Sequence, residues 1–440
     1  NERRKIIMIA IFVFFLAFLA LAFLRIPVGF AIIGGGVIAY LAGDISMNSI
    51  PSALFAGLDS FPLLAIPAFI LSGDLMSQGG ISSAIMNFLG AVFKRIRGSM
   101  GAVLVCTSMI FGAICGSSVA TVSAIGGIML PEMEKAGYDK RYTTALLSAS
   151  GFLGILIPPS VPGIIYALSA GQKVTQVWMS TLLPGLALGL LYMIVNYLVY
   201  GRKQPKITEP FKFQPYMKEI RHNTPKAIVA FIMPLIIFGG VYGGIFTATE
   251  AGVVAVVYGL IAGWIIYPLL FKQKPENSLA KTTRMSAVTT VTIALLISSA
   301  SIIGRMVAMG GITAKVETFL MGVSDSKYVF LIIVNLILIL VGMFLETNCG
   351  ILLFTPIFVP IAQAYGIDPI HFGAIMLLNL EIGLITPPFA ANLFVGCKLS
   401  KLRIDEIMKP LLPFYACCLP VLLITTFWPE FSLWIPSITG

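Results

Sequence analysis

Charge is what this chain of 440 residues has least of: Asp, Glu, Lys and Arg make up 11%, against 58% hydrophobic residues. A water-soluble domain could not hide so much apolar surface, whereas a bilayer solvates it. There are two histidines, His222 and His371, and six cysteines. The cysteines (Cys106, Cys115, Cys349, Cys397, Cys417, Cys418) lie in apolar stretches without metal-ligand spacing, so they read as small packing residues. No Walker A motif is present, which leaves ATP-driven pumping unsupported. Without GxSxG, HExxH or CxxC, a membrane hydrolase or redox enzyme has nothing to work with, and the chain reads as a non-enzyme. The net charge of +10 does not point to nucleic acid, because the basic residues sit between apolar runs, where lipid headgroups and topology explain them.

What is present is a repeat. Gly154-Ile155-Leu156-Ile157-Pro158-Pro159 recurs 229 residues later as Gly383-Leu384-Ile385-Thr386-Pro387-Pro388. The same offset aligns Pro131 with Pro360, Gly137 with Gly366, Asp139 with Asp368, and Leu182-Leu183-Pro184 with Leu411-Leu412-Pro413. An offset of 231 aligns Gly73 with Gly304 and Gly79-Gly80-Ile81 with Gly310-Gly311-Ile312. Two homologous halves, each with a Gly/Pro-broken helix in apolar sequence, are the pattern of a secondary transporter with its site at the repeat interface. A stand-alone Na⁺/carboxylate symporter is an alternative, and a channel the more distant one, since channels usually repeat a pore loop around a symmetric axis and need no dead-end hairpins.

The first half reads as spans near 6–24, 27–43 and 50–77, then a Gly-Gly break and a segment ending in Lys94, Arg95 and Arg97. The run after Arg3-Arg4-Lys5 is long enough to cross a bilayer and is read as a span, not a signal peptide. The chain opens on Asn, so an upstream segment is expected. Short pieces at 99–114 and 119–131 flank Cys115-Gly116-Ser117-Ser118; a broken helix at 142–170 and a span at 178–200 follow. After a polar linker at 201–226, the second half gives spans near 227–244, 248–271 and 285–305. Pieces at 328–344 and 349–363 then flank Leu345-Glu346-Thr347-Asn348, before a broken helix at 370–397 and a span at 411–434. A piece of about 13 residues is too short to cross ~30 Å of hydrocarbon, so each pair is expected to be a re-entrant hairpin. With the N-terminus outside, 22 of the 29 lysines and arginines face the cytoplasm. The first hairpin then enters from the cytoplasm and the second from outside, which makes the repeats inverted.

In each hairpin the returning half-helix offers unpaired N–H groups and a positive dipole end, which favour an anion. The hydroxyls of the turns, Glu346 and Asn348 add oxygen ligands. Pro158, Pro159, Pro387 and Pro388 lack N–H donors and free upstream carbonyls, and Gly154 and Gly383 permit unusual dihedrals. Carbonyls and hydroxyls together suit a hard cation such as Na⁺, one cage per repeat. With both histidines expected in links, a histidine proton relay is disfavoured and Na⁺ preferred over H⁺ as the coupling ion. Among the few intramembrane charges, Glu346 is expected in the site, Glu381 as a loop stabiliser and Glu250 as a helix cap. Asp74 and Arg305 occupy equivalent positions with opposite sign, either bridged to each other or anchored at the interface.

Phe111-Gly112-Ala113-Ile114-Cys115-Gly116-Ser117-Ser118-Val119-Ala120-Thr121 and Gly151-Phe152-Leu153-Gly154-Ile155-Leu156-Ile157-Pro158-Pro159-Ser160 resemble the large membrane subunit of TRAP (tripartite ATP-independent periplasmic) transporters, over essentially the whole chain. The resemblance implies an all-α elevator-type protein of the bacterial inner membrane. It implies Na⁺-driven uptake of an organic acid handed over by a soluble periplasmic binding protein. A small four-helix membrane subunit, separate or fused upstream, completes such a complex. By the same resemblance Gly116, Ser117 and Ser118 with Gly154 and Pro158 form one ion site. Glu346, Thr347 and Asn348 with Gly383, Thr386 and Pro387 form the other. Ser117, Ser150, Ser160, Glu346, Asn379 and Asn392 are candidates for the substrate cavity. The sequence is similar to the sialic-acid branch, with C4-dicarboxylates as the alternative substrate; the residues alone do not separate the two. Residues 1–98, 177–327 and 398–440 are expected to supply scaffold and arm-like links near 80–98, 310–325 and 398–409. Residues 99–176 and 328–397 are expected to supply the mobile parts.

Overall fold

The computed structural model describes residues 2–202 and 213–439, and every regular element among them is helical. Eight helices are long and apolar enough to span a membrane, nine if the bent pair Lys140–Leu156 and Val161–Ser169 counts as one. The offset seen in the sequence reappears as matched local structure. Asp139 and Asp368 both cap helix starts, accepting from Arg141 and Tyr142 N–H in one repeat and from Ile370 and His371 N–H in the other. Gly137 and Gly366 both carry positive φ, and the peptide bond between the paired prolines is cis in both. The second offset holds too: Gly80 and Gly311 turn the chain between Ala65–Gln78 and Ile81–Phe93, and between Leu279–Gly310 and Ile312–Val323.

The helices share one continuous hydrophobic core, and fall into two sets by what they pack around. One contains Glu2–Phe23, Val28–Ala42, Ala65–Gln78, Phe213–Tyr242, Ala248–Phe271 and Leu279–Gly310. The other is built from two hairpins, Ser99–Cys115 with Ser118–Lys135 and Lys327–Phe344 with Thr347–Ala364, and the two broken helices. Each broken helix crosses to the opposite repeat. Val161–Ser169 lies on Thr347–Ala364 and Pro369–Gly383, where the Tyr166 ring covers Gly373 and its hydroxyl donates to Pro369 O at 2.6 Å. Ala391–Ser400 lies on Ser118–Lys135 and Lys140–Gly151, with Gly396 against Ser148.

Several boundaries differ from expectation. The 50–77 span is interrupted at Asp59-Ser60, leaving the short helix Ser49–Ala56 and a span that begins at Phe61. The hairpin arms expected at 119–131 and 349–363 run 18 residues each; the first continues past Pro131, which is accommodated inside it, and the second starts earlier, at Thr347. At 1.5 Å per residue that is about 27 Å, so shortness is not what marks these hairpins. Part of the expected linker, 203–212, lies outside the described residues, and the remainder is helical from Phe213. The 285–305 span is the middle of the 32-residue helix Leu279–Gly310. The last span starts at Ile404 and takes in the 404–409 part of the expected link, whose first residues end Ala391–Ser400, and it ends at Phe427 before Trp428-Pro429.

Neither histidine lies in a link: His222 is in Phe213–Tyr242, and His371 is buried in the first turn of Pro369–Gly383, its Nε2 2.7 Å from Thr425 O. Asp74 and Arg305 do not pair, since Asp74 accepts from Ser286 Oγ at 2.6 Å and Arg305 donates to Ser52 Oγ at 3.1 Å. Two helices, Val174–Asn196 and Ile404–Phe427, clasp the broken helices. Thr181 donates to Leu156 O at 2.9 Å, and Tyr415 donates to Ile385 O, the carbonyl 229 residues further on. Between these two helices, Tyr192 stacks edge-on to Phe414 and its hydroxyl lies 3.0 Å from Cys418 Sγ. A hydroxyl on a freed loop carbonyl removes the cost of leaving that acceptor bare in a buried site, so each clasp stabilises its break.

Candidate functional site

The two hairpin turns meet. Gly116 ends the first arm at φ +62°, a conformation that a side chain would strain. Ser117 then caps the return helix, accepting from Ala120 N–H at 3.4 Å, while Thr121 Oγ1 donates back to Ser117 O at 2.8 Å. In the second turn Glu346 occupies the equivalent cap position, with Asn348 Nδ2 donating to its Oε1 at 2.5 Å. Both return-helix starts, Ser118 and Thr347, border one cavity of about 840 Å³, within the ~300–1,000 Å³ range of small-molecule sites. Its opposite wall comes from the other helical group: Val28–Phe30, Ile70, Asp74 and the 288–296 stretch of Leu279–Gly310.

Below the turns the hairpins are fastened to the broken helices by glycine. A methyl group on Gly112 would fall 1.9 Å from Gly154 Cα, and one on Gly383 would fall 2.4 Å from Gly342 Cα. Backbone therefore touches backbone at both breaks, which holds each loop against its own hairpin. Between the two turns sits Glu381, fully buried, accepting from Thr347 Oγ1 at 2.7 Å. Its second oxygen has no hydrogen-bond partner, nor has the buried Asn348 Oδ1. Glu250, by contrast, completes a capping box with Thr247, as expected.

Of the residues proposed from sequence, Gly116, Ser117, Ser118, Glu346, Thr347 and Asn348 line the cavity. Their oxygens are the hard ligands that suit Na⁺. Gly154, Pro158, Gly383, Thr386 and Pro387 lie behind the turns and do not border it. Thr386 Oγ1 donates to Ile382 O at 2.8 Å, within its own helix turn. Ser150, Ser160, Asn379 and Asn392 are buried away from the cavity. Ser160 caps Val161–Ser169 by accepting from Gly163 N–H at 3.3 Å, and Trp178 Nε1 donates to its carbonyl at 3.0 Å. Asn379 donates to Asn335 Oδ1 at 2.5 Å and to Ile375 O at 2.7 Å, inside a network that reaches Thr426. Sequence reasoning missed Gly112, Gly342, Thr181 and Tyr415, as well as the Asp74–Ser286 pair on the cavity wall. A glycine inside an apolar helix arm was the available signal for the first two.

Among the described residues no three His, Cys, Asp or Glu side chains converge as they would on a transition metal. All six cysteines are free thiols.

Comparison with known proteins agrees with this architecture. The family described as "Tripartite ATP-independent periplasmic transporter, DctM component" matches residues 15–431. The chain is 34% identical to the C4-dicarboxylate TRAP transporter large permease protein DctM of Pseudomonas aeruginosa, over 93% of this chain and 94% of that protein. It is 31% identical to the sialic acid TRAP transporter large permease protein SiaM of Vibrio cholerae, over 96% and 97%. In fold it is similar to the crystal structure of the YdaH transporter of Alcanivorax borkumensis, with a TM-score of 0.61 at 14% identity, covering 89% of this chain and 90% of that one. The chain thus belongs to the DctM component of the tripartite ATP-independent periplasmic transporters, multi-pass permeases of the inner membrane and not enzymes.

Proposed function

We propose that this permease imports an organic acid, with Na⁺ as the coupling ion, by an elevator movement of the hairpin group against the other helices. The observation that carries this reading is the cavity itself. Two helix starts with oxygen ligands face it from the hairpins, while Val28–Ala42, Ala65–Gln78 and Leu279–Gly310 form the other wall. Helix starts favour the acid's negative charge, and the oxygens of the turns favour a hard cation. The moving body would include Val174–Asn196 and Ile404–Phe427, because they are hydrogen-bonded to the broken helices. In the complete transporter a periplasmic binding protein would deliver the acid, and a small four-helix membrane subunit, separate or fused, would brace the scaffold. Sialic acid is the first candidate and a C4-dicarboxylate the second.

The test is uptake of labelled sialic acid and succinate into proteoliposomes holding the permease with its small subunit, with and without an inward Na⁺ gradient and binding protein. Uptake that needs both supports the tripartite reading. Na⁺-dependent uptake without the binding protein points to a stand-alone symporter, and Na⁺-independent flux of both acids would refute coupling. In the same assay Ser117→Ala removes one hydroxyl from the first turn. It is expected to raise the Na⁺ concentration for half-maximal uptake roughly tenfold, the equivalent of one lost ligand of about 1.4 kcal/mol. Glu346→Gln is expected to lower uptake about tenfold or more, while unchanged uptake would remove Glu346 from the site.

A further inference from the structure

The charged side chains lining the cavity, Asp74 and Glu346, are both acidic, and the described lining residues include no lysine, arginine or histidine. A cavity for organic acids would ordinarily be expected to offer a basic side chain. Here the acid's own charge is left to the helix starts and the cation, and the facing wall is largely apolar, with Asp74, Thr289 and Thr292 as its polar side chains. Asp74 is the part of that wall which no expected ion cage includes. It stands on Ala65–Gln78, outside the hairpin group. Ser286 Oγ fixes one of its oxygens at 2.6 Å, and no described cation pairs with it. Its neighbour Gly73 abuts the first hairpin so closely that a methyl group there would lie 2.6 Å from Cys115 Cα. That contact places the carboxylate beside the first turn. A second bare acceptor, the buried Asn348 Oδ1, belongs to the opposite turn.

We infer that Asp74 determines the substrate class, selecting acids with one anionic group and several hydroxyl or amino donors over dicarboxylates. When the anionic group occupies the helix starts, the rest of the molecule shares the cavity with Asp74. A hydroxyl or ammonium group there donates to the carboxylate. A second carboxylate there meets a like charge within a partly desolvated site, where such repulsion is far stronger than in water. Ser286 holds the carboxylate in place, so the preference is built into the wall before substrate arrives.

This inference rests on the organic-acid reading, and the experiment separates the two. Binding of labelled sialic acid, gluconate and succinate is measured on the purified membrane complex in Na⁺, without binding protein, so that only the permease selects. The wild type is expected to bind the two hydroxylated monoacids about tenfold or more tightly than succinate. Asp74→Asn should shrink that ratio by roughly tenfold or more, by strengthening succinate and weakening the others, and Asp74→Glu should keep it. Ser286→Ala, which loosens the carboxylate without removing it, should move the ratio the same way by less, and it serves if Asp74→Asn does not fold. Equal or tighter succinate binding by the wild type, or an unchanged ratio in a folded variant, overturns the inference and leaves the organic-acid reading standing. Binding of none of the three acids overturns both.

Discussion

Gly383→Ala is expected to destroy the permease. The added methyl would sit 2.4 Å from both the Cα and the carbonyl carbon of Gly342, and 2.8 Å from Met343 N. These atoms are backbone in the last turn of the hairpin arm Lys327–Phe344, so no side chain can rotate away to relieve the clash. Overpacking of a close-packed site costs about 1–3 kcal/mol when side chains can adjust. Against two fixed backbones we expect the upper end or beyond, about 3 kcal/mol. Gly154→Ala is its counterpart, with the methyl 2.3 Å from Gly112 Cα. Both variants should show a lowered melting temperature in detergent and no Na⁺-dependent uptake. Gly304→Ala is the control, because nothing lies within 4 Å of a methyl there. A Gly383→Ala protein with wild-type melting and uptake would show that the backbone contact is not needed.

Glu381→Ala should produce the second-largest loss. Glu381 is fully buried, and it is the acceptor for Thr347 Oγ1, itself only 1% exposed. Truncation leaves that hydroxyl bare, at about 1–3 kcal/mol, and opens a cavity between the turns, at about 2–5 kcal/mol for a large-to-small change. Uptake should fall by at least about an order of magnitude, and the melting temperature with it. Glu381→Gln preserves both the volume and an acceptor for Thr347, so its melting temperature should return most of the way to wild type. If Ala and Gln melt alike, the hydrogen bond to Thr347 is not what Glu381 provides.

Much of this architecture was legible in the sequence because backbone chemistry wrote it there. A Pro-Pro pair after glycine breaks a helix wherever it falls. An Asp before a helix start is an equally local signal, and both recur at one offset, whereas the Gly-Ser-Ser turn is answered there by Leu345-Glu346-Thr347. The repeat alignment of Asp139 with Asp368 is visible from position alone; that both cap helix starts is seen only in the fold. What stayed hidden is what depends on which apolar face meets which. In a soluble protein, amphipathic periodicity tells the buried side of a helix from the exposed side. In this chain the lipid-facing Leu336 and Leu340 and the buried Val334 and Leu338 of one helix are chemically alike. Nothing in the pattern therefore says that Val174–Asn196 and Ile404–Phe427 clasp the broken helices. The four candidates Ser150, Ser160, Asn379 and Asn392 were displaced from the cavity for a related reason. Polar side chains in apolar helices suggest a binding site, but Ser160 caps a helix and Asn379 bonds a neighbouring one, while Ser150 Oγ and the Asn392 amide are buried without a hydrogen-bond partner. Asp74 was singled out correctly as an unusual charge, yet its partner Ser286 lies 212 residues away, beyond any local pattern.

The crossing of the broken helices also constrains how the protein is made. Both helices that seat Ala391–Ser400, namely Ser118–Lys135 and Lys140–Gly151, are synthesised with the first repeat. Their occupant is synthesised more than two hundred residues later. At ribosomal rates of about 5–20 residues per second, that is a wait on the order of 10–50 s. Until then the Ser148 and Gly126 surface must rest against lipid, a chaperoning insertase or some provisional neighbour. Val161–Ser169 meanwhile waits for Thr347–Ala364. Neither repeat can reach its final shape as an independent unit, so the chain commits to its fold only when the second repeat arrives.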